Sequence, residues 1–138
     1  MAVVALLSPK ITIATIDMSA FSTAIAMDVE SEKLTTTNFG SAGFQTYIAG
    51  LKGGEVKISF NDDFAATTVD DRIWGWWSAG VAIAFAVKAT QAATSPTNPE
   101  YQFNVLPLEF SPLAGKVGEL ATMDITWPVT GTITRAVA

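Results

Sequence analysis

The 138-residue chain has no cysteine and no histidine. Without cysteine there are no disulfides, no thiolate metal sites and no thiol nucleophile. Without histidine there is no Ser-His-Asp or Cys-His arrangement and no histidine pH switch. Charge is scarce as well: charged residues make up 15% of the chain, against about 25% in ordinary soluble domains. Eight Lys and Arg face thirteen Asp and Glu, a net charge of −5, and no basic cluster exists. Affinity for a nucleic acid backbone comes mainly from Lys and Arg displacing counterions. Charge therefore excludes a nucleic-acid binder, although an acidic protein can enclose DNA without gripping it. Long apolar runs are missing too. None approaches the ~18 residues of a membrane span, so no membrane insertion by this chain is expected. Ala2 to Leu7 is apolar but lacks a basic lead and a cleavage site. Residues 1–10 read as an N-terminal arm packing on this domain or a neighbour, not as a signal peptide.

What remains is an apolar chain, with a mean hydropathy of +0.35. At this length it forms one domain, residues 1–138, with enough chain for a core. So little charge on a chain without a membrane span points to surface hidden in an assembly. A monomer with an oily surface is the competing reading, since much of any protein surface is apolar.

Taken in order, Ile11 to Ile16 is β-branched and reads as a strand. A polar bend with Asp17, Ser19 and Ser22 follows. Thr23 to Glu30 alternates, with Ile25, Met27 and Val29 on one face and Ala24, Ala26, Asp28 and Glu30 on the other. Glu55 to Phe60 alternates again, with Val56, Ile58 and Phe60 buried and Glu55, Lys57 and Ser59 outward. The spacing predicts one helix over Val69 to Ala79, with Thr68 as N-cap, Asp70 and Asp71 at its positive end and Gly80 as terminator. Val69, Ile73, Trp76 and Trp77 form its core stripe. Trp74 lies off that stripe and is an interface candidate. Gly75 inside the helix suggests close packing there. Val81 to Lys88 alternates large apolar residues with Ala82, Ala84 and Ala86, a face suited to close approach of the helix or of another subunit. Tyr101 to Phe110, Glu119 to Trp127 and Val129 to Val137 complete the strands, with Pro107 marking an edge or bulge. Six or seven strands with one helix and no βαβ alternation make a mainly β fold: an antiparallel β-sandwich or open barrel with one flanking α-helix.

Little here can do chemistry. Asp62-Asp63 ends a strand and Asp70-Asp71 opens a helix, which accounts for both pairs without a metal needing six or more oxygen ligands. Asp28 and Glu30 share a strand face, but nothing shapes a glycosidase cleft around them. Lys52-Gly53-Gly54 lacks the spacing of a phosphate loop. No enzyme activity, metal or cofactor is expected. The polar strand faces bearing Asp28, Glu30, Lys57 and Asp124 are either solvated surface or the wall of a pore.

The stretch Leu34 to Phe64, LTTTNFGSAGFQTYIAGLKGGEVKISFNDDF, organises the rest. Gly40, Gly43, Gly50, Gly53 and Gly54 punctuate it, and residues 35–54 read as a long loop. Such loops are usually functional or disordered, and Phe39, Phe44, Tyr47, Ile48 and Leu51 argue against disorder. The loop either covers its own core or docks on something else. The sequence Thr36, Thr37, Phe39, Gly40, then Tyr47, Ala49, Gly50, Leu51, Lys52, Gly54, then Asp63, Phe64 resembles the tail tube (major tail) proteins of long-tailed bacteriophages. The match is strongest over about a quarter of the chain, in the manner of a combined motif.

The resemblance implies a structural virion protein, assembled in the host cytoplasm and residing in the phage tail. It implies hexameric rings that stack into a hollow tube through which DNA passes during ejection. Partners would be the protein itself, a tail terminator, a tape measure and distal tail proteins, with transient non-specific passage of DNA. Carried over by residue, Thr36, Thr37, Phe39, Gly40, Tyr47, Gly50, Leu51 and Gly54 would form the ring-to-ring contact, and Asp28, Glu30 and Lys57 would line the lumen. A capsid-decoration or head–tail connector protein, or a secreted sugar-binding β-sandwich module, are the alternatives.

Overall fold

Alternating apolar residues along the strands decide which side of the sheet is buried, and the computed structural model, which describes residue 3 and residues 5–138, bears this out. Met1, Ala2 and Val4 of the expected arm lie outside the described residues. Seven strands, β1 (Lys10–Ile13), β2 (Ile16–Asp17), β3 (Ser22–Thr35), β4 (Tyr47–Asn61), β5 (Ile83–Lys88), β6 (Glu100–Val105) and β7 (Thr122–Ala136), form one sheet in the order β2-β1-β5-β6-β7-β4-β3. Every pairing is antiparallel. The helix α1 (Val69–Ala79) follows β4, within the bounds its pattern predicts.

The sheet turns on β7. Its first half pairs with β4 as far as Glu55↔Pro128, and its second half pairs with β6 from Val105↔Val129 onward. Pro128 therefore stands where the strand changes partner, the place in a strand where a missing N–H does least harm. Gly131, at φ +85°, lies just beyond. Because β7 serves both halves, Glu119 to Trp127 and Val129 to Val137 are one strand rather than two.

Both halves supply a single core. Ile11, Ile13, Phe85, Phe103 and Val105 come from one side and Val56, Ile58, Phe60, Met123, Ile125 and Trp127 from the other, with Val69 and Ile73 of α1 and Met18 between them. Phe85 and Phe103 lie opposite each other on neighbouring strands, with ring centroids 5.2 Å apart and 15° between planes. Cross-strand aromatic pairs of this kind add to simple burial. Trp127 is fully buried, and its indole N–H donates to the Glu109 carbonyl at 3.0 Å. That bond fastens residues 106–121, which have no regular structure and expose Leu108, Leu113, Val117 and Leu120. The expected strand Tyr101 to Phe110 accordingly stops at Val105, and Pro107 sits buried in this irregular segment.

Two other boundaries differ from expectation. Ile11 to Ile16 is not one strand: the chain reverses at Ala14 (φ 50°) and Thr15 (φ 66°), and β2 folds back on β1. Val81 and Ala82 precede β5 rather than belong to it. At the helix start, Thr68 stands at the N-cap but its hydroxyl donates to the Asp63 carbonyl instead of accepting. The capping role passes to Asp71, whose carboxylate accepts from the Thr67 N–H at 3.1 Å. Gly80 ends α1 in the left-handed conformation, φ 68°, with its N–H donating to Trp76.

Candidate functional site

Three surface features stand out, and the strand register assembles the first. On the side of β3, β4 and β7 away from the core, Asp28 pairs with Glu55, Ala26 with Lys57, Lys57 with Thr126, and Ser59 with Asp124. Glu30 follows one step along, opposite Gly53. The expected lumen residues Asp28, Glu30 and Lys57 thus share one sheet face. Glu55 and Asp124 join them, so four carboxylates face one ammonium. That ammonium is already engaged: Lys57 Nζ lies 3.4 Å from Glu55 Oε1, in an exposed pair of a kind worth about 0–1 kcal/mol. Asp28, Glu30 and Asp124 are exposed. Among the described residues no three acidic groups converge to hold a metal ion. What this face offers is a negative field on a smooth wall of strands.

The second feature is an arm. β3 and β4 run together for their full lengths, from Ser22↔Phe60 to Thr35↔Tyr47. Only their inner ends meet the core: Ile25 and Met27 of β3 pack against it, and Val56, Ile58 and Phe60 of β4 belong to it. Beyond Val29 and Gly54 nearly every residue of both strands is exposed. The expected loop 35–54 is therefore mostly strand, and the true loop is Thr36 to Thr46. An arm with no buried face shows no period-2 apolar pattern, so its ladder of backbone hydrogen bonds left no trace in the sequence. Gly54 is required where the arm leaves the sheet. A Cβ there would lie 2.5 Å from the Asp28 carbonyl oxygen and 2.9 Å from Val29 Cγ1.

The tip of the arm is built rather than loose. The Asn38 carboxamide accepts from the Gly40 N–H at 2.8 Å, and the Asn38 N–H donates to the Ser41 hydroxyl at 3.1 Å. Thr36 and Thr46 join through their hydroxyls at 2.9 Å. Lys33 Nζ sits 4.6 Å from the centre of the Tyr47 ring. The eight expected contact residues divide accordingly. Thr36, Thr37, Phe39 and Gly40 are in the tip, whereas Tyr47, Gly50, Leu51 and Gly54 run along β4. Phe39 is fully exposed at 108%, Phe44 is 75% exposed and Leu51 81%.

The third feature is the flank of α1. Val69 and Ile73 are buried, and Trp76 packs edge-on against Trp127 with centroids 6.5 Å apart. Trp77, expected in the core stripe, is 40% exposed instead. Residues step about 100° around a helix, which carries position 77 past the edge of the stripe set by 69, 73 and 76. There it stacks on Phe110 at 6.1 Å and leans on Trp74 at 5.5 Å, while Trp74 meets Phe110 at 5.9 Å. Trp74 is 52% exposed, in keeping with its place off the stripe. Phe110 is the member that sequence periodicity missed, because it lies in the irregular segment.

No protein-family model matches the chain, and no curated protein is similar to it in sequence. Solved structures do match. A chain from the virion of a native gene transfer agent particle superposes with a TM-score of 0.79 at 14% identity, covering 98% of this chain and 100% of that one. The chain has the fold of a gene transfer agent particle protein. A chain from the tail of an empty gene transfer agent particle, solved with helical refinement and C6 symmetry, gives a TM-score of 0.74 at 14% identity with the same coverage. The gene transfer agent tail fold therefore accounts for nearly the whole of both chains, and the mainly β architecture with one helix is the expected one.

Proposed function

We propose that this chain is a tail tube protein: six copies form a ring, and rings stack into the hollow tube of a phage-like tail. The observation that carries the reading is the end-to-end fold likeness to a chain of a C6-symmetric tail. Two properties of the chain support it. Large apolar side chains stand exposed on the arm, on the helix flank and in residues 106–121, more than a free monomer ordinarily leaves in water. The carboxylate-rich face of β3, β4 and β7 suits a wall that must let a polyanion slide past without adhering.

In this reading Asp28, Glu30 and Lys57, with Glu55 and Asp124, line the lumen. The arm, from Thr36, Thr37, Phe39 and Gly40 at its tip to Tyr47, Gly50, Leu51 and Gly54 along β4, makes the ring-to-ring contact. DNA passes through the tube non-specifically, and a tail terminator, a tape measure and distal tail proteins meet the tube at its ends. The role is structural and needs no catalysis. A sugar-binding platform is the weaker reading, because Trp74 and Trp77 tilt 36° against each other rather than presenting one flat surface.

Negative-stain electron microscopy of the purified protein over a range of concentrations tests this. Hollow tubes or stacked rings are expected. Isolated rings that never stack would favour a connector or decoration protein, and a monomer at every concentration would overturn the assembly.

A further inference from the structure

We infer that residues 113–121 form a proton-controlled flap at the end of β4: it stays closed while the Asp62 carboxyl is protonated and lets go when that carboxyl ionises. The inference concerns the single chain and stands apart from the tube reading.

The flap is a loop whose ends meet. Thr122, the first residue of β7, donates its N–H to the Ala114 carbonyl at 3.2 Å, and the Glu119 N–H donates to Lys116 at 3.0 Å. A Cβ on Gly115 would lie 3.6 Å from the Leu120 carbonyl oxygen and 3.8 Å from Ala121 Cα. The loop is compact in itself, yet it buries little. Every residue from Pro112 to Leu120 is exposed, Leu113, Val117 and Leu120 among them. Residues 106–110 before it are fastened by the Leu106 N–H to Pro128 and by the Trp127 indole to Glu109. Among the described residues, the loop's own hydrogen bonds to the sheet are two. One comes from Thr122, and the other from the N–H of Asp62, which donates to Ala121 at 3.0 Å.

Asp62 therefore works in two directions. Its N–H holds the loop, while both oxygens of its carboxyl are out of solvent without a hydrogen-bond partner. Ionising a carboxyl in such a place is costly unless water reaches it. Two elements meet beside it. α1 is firmly held: the Asp70 N–H and the Thr68 hydroxyl both donate to the Asp63 carbonyl, at 3.1 and 2.9 Å, and Val69 and Ile73 are fully buried. The loop is the weaker side, and local opening follows the weakest contacts. The charges that act on the carboxyl are Asp70 from α1 and Asp63 next to it in the chain, and both oppose its ionisation. The loop's charged residues, Lys116 and Glu119, lie at its outer turn.

Opening lets water reach the carboxyl and restores its ordinary acidity. The open form gains on the closed one as pH rises from about 4, the ordinary carboxylate value. It stops gaining once the closed form is ionised as well.

Residue-resolved amide hydrogen exchange on the unassembled full chain tests this between about pH 4 and about pH 8, each rate being divided by its intrinsic rate at that pH. The Asp62 and Thr122 amides should exchange several-fold faster than those of Val56 to Phe60 in the middle of the sheet, and their protection should fall several-fold as pH rises. Asp62→Asn should keep that protection high and level across the range. Asp70→Asn, which leaves Asp62 in place, should move the fall to lower pH. Asp62 and Thr122 amides as slow as the sheet interior would overturn the flap, because the loop would then open only when the whole chain unfolds. A fall that persists unchanged in Asp62→Asn would overturn Asp62 as the group in control.

Discussion

Asp62 shows how a single side chain can oppose the fold that contains it. It follows the last residue of β4, where its N–H donates to the Ala121 carbonyl at 3.0 Å. Both carboxylate oxygens are out of solvent with no well-formed hydrogen-bond partner. Burial raises its pKa, the nearby Asp70 carboxylate raises it further, and the Asp63 N–H offsets part of the effect. A carboxyl whose pKa is raised by folding carries its cost above the folded pKa, where it must ionise in place. The cost is relieved as pH falls through the raised value, and it vanishes below the ordinary carboxylate range, where both states are protonated. Asp62→Asn, which keeps the shape and removes the charge, should raise the melting temperature at neutral pH. The gain should shrink on acidification through that window. Thermal unfolding of both proteins across a pH series measures it, and a gain that grows on acidification would refute the assignment. Nothing in the sequence marks Asp62 over Asp63. The difference comes first from burial and then from the Asp70 carboxylate, both of which only the folded chain brings to Asp62.

At the scale of elements, the turn between β1 and β2 shows what a sequence conceals. A two-residue hairpin of this form needs positive φ at both central positions, which usually selects Asn-Gly. Here Ala14 and Thr15 occupy them, so the reversal was invisible and the segment read as one strand. The left-handed region costs a non-glycine residue about 1–2 kcal/mol, and Thr15 is β-branched as well. Replacing Ala14-Thr15 by Asn-Gly should stabilise the chain by about 1–2 kcal/mol in denaturant unfolding, with no change in the slope. No gain would mean that Ala14 and Thr15 hold this turn without strain. Elements with one wet and one dry face were legible: the inner part of β3, Glu55 to Phe60 of β4, α1, β5 and the first half of β7. The outer arm escaped because both of its faces are wet. The continuity of β7 escaped because Pro128 looks like a stop until its two partners are known. Of the candidate sites, the charged face followed from alternation alone. The aromatic flank needed Phe110, which only tertiary structure brings to Trp74 and Trp77.

The whole molecule has a sidedness that bears on the proposed role. One sheet face carries Asp28, Glu30, Glu55, Lys57 and Asp124, while the arm tip exposes Phe39 and Phe44 and has no charged residue from Thr36 to Thr46. Such segregation lets the apolar surfaces be buried between copies while the acidic face keeps to water. If that face lines the lumen, its function is to repel DNA, and reversing its sign should convert a conduit into a binding surface. Asp28→Lys with Glu30→Lys changes two exposed residues that take part in no ion pair among the described residues, so folding and tube assembly should persist. Wild-type tubes should not retain double-stranded DNA. Tubes of the double variant should retain it, with affinity falling on the order of 10³-fold between roughly 50 and 200 mM salt, as expected for at least six new phosphate contacts. Tubes that assemble normally and still release DNA would place the charged face outside the lumen. Loss of assembly with an unchanged melting temperature would make Asp28 and Glu30 part of a contact between copies. Each result assigns the face to one of three places: the lumen, the outer surface or an interface between copies.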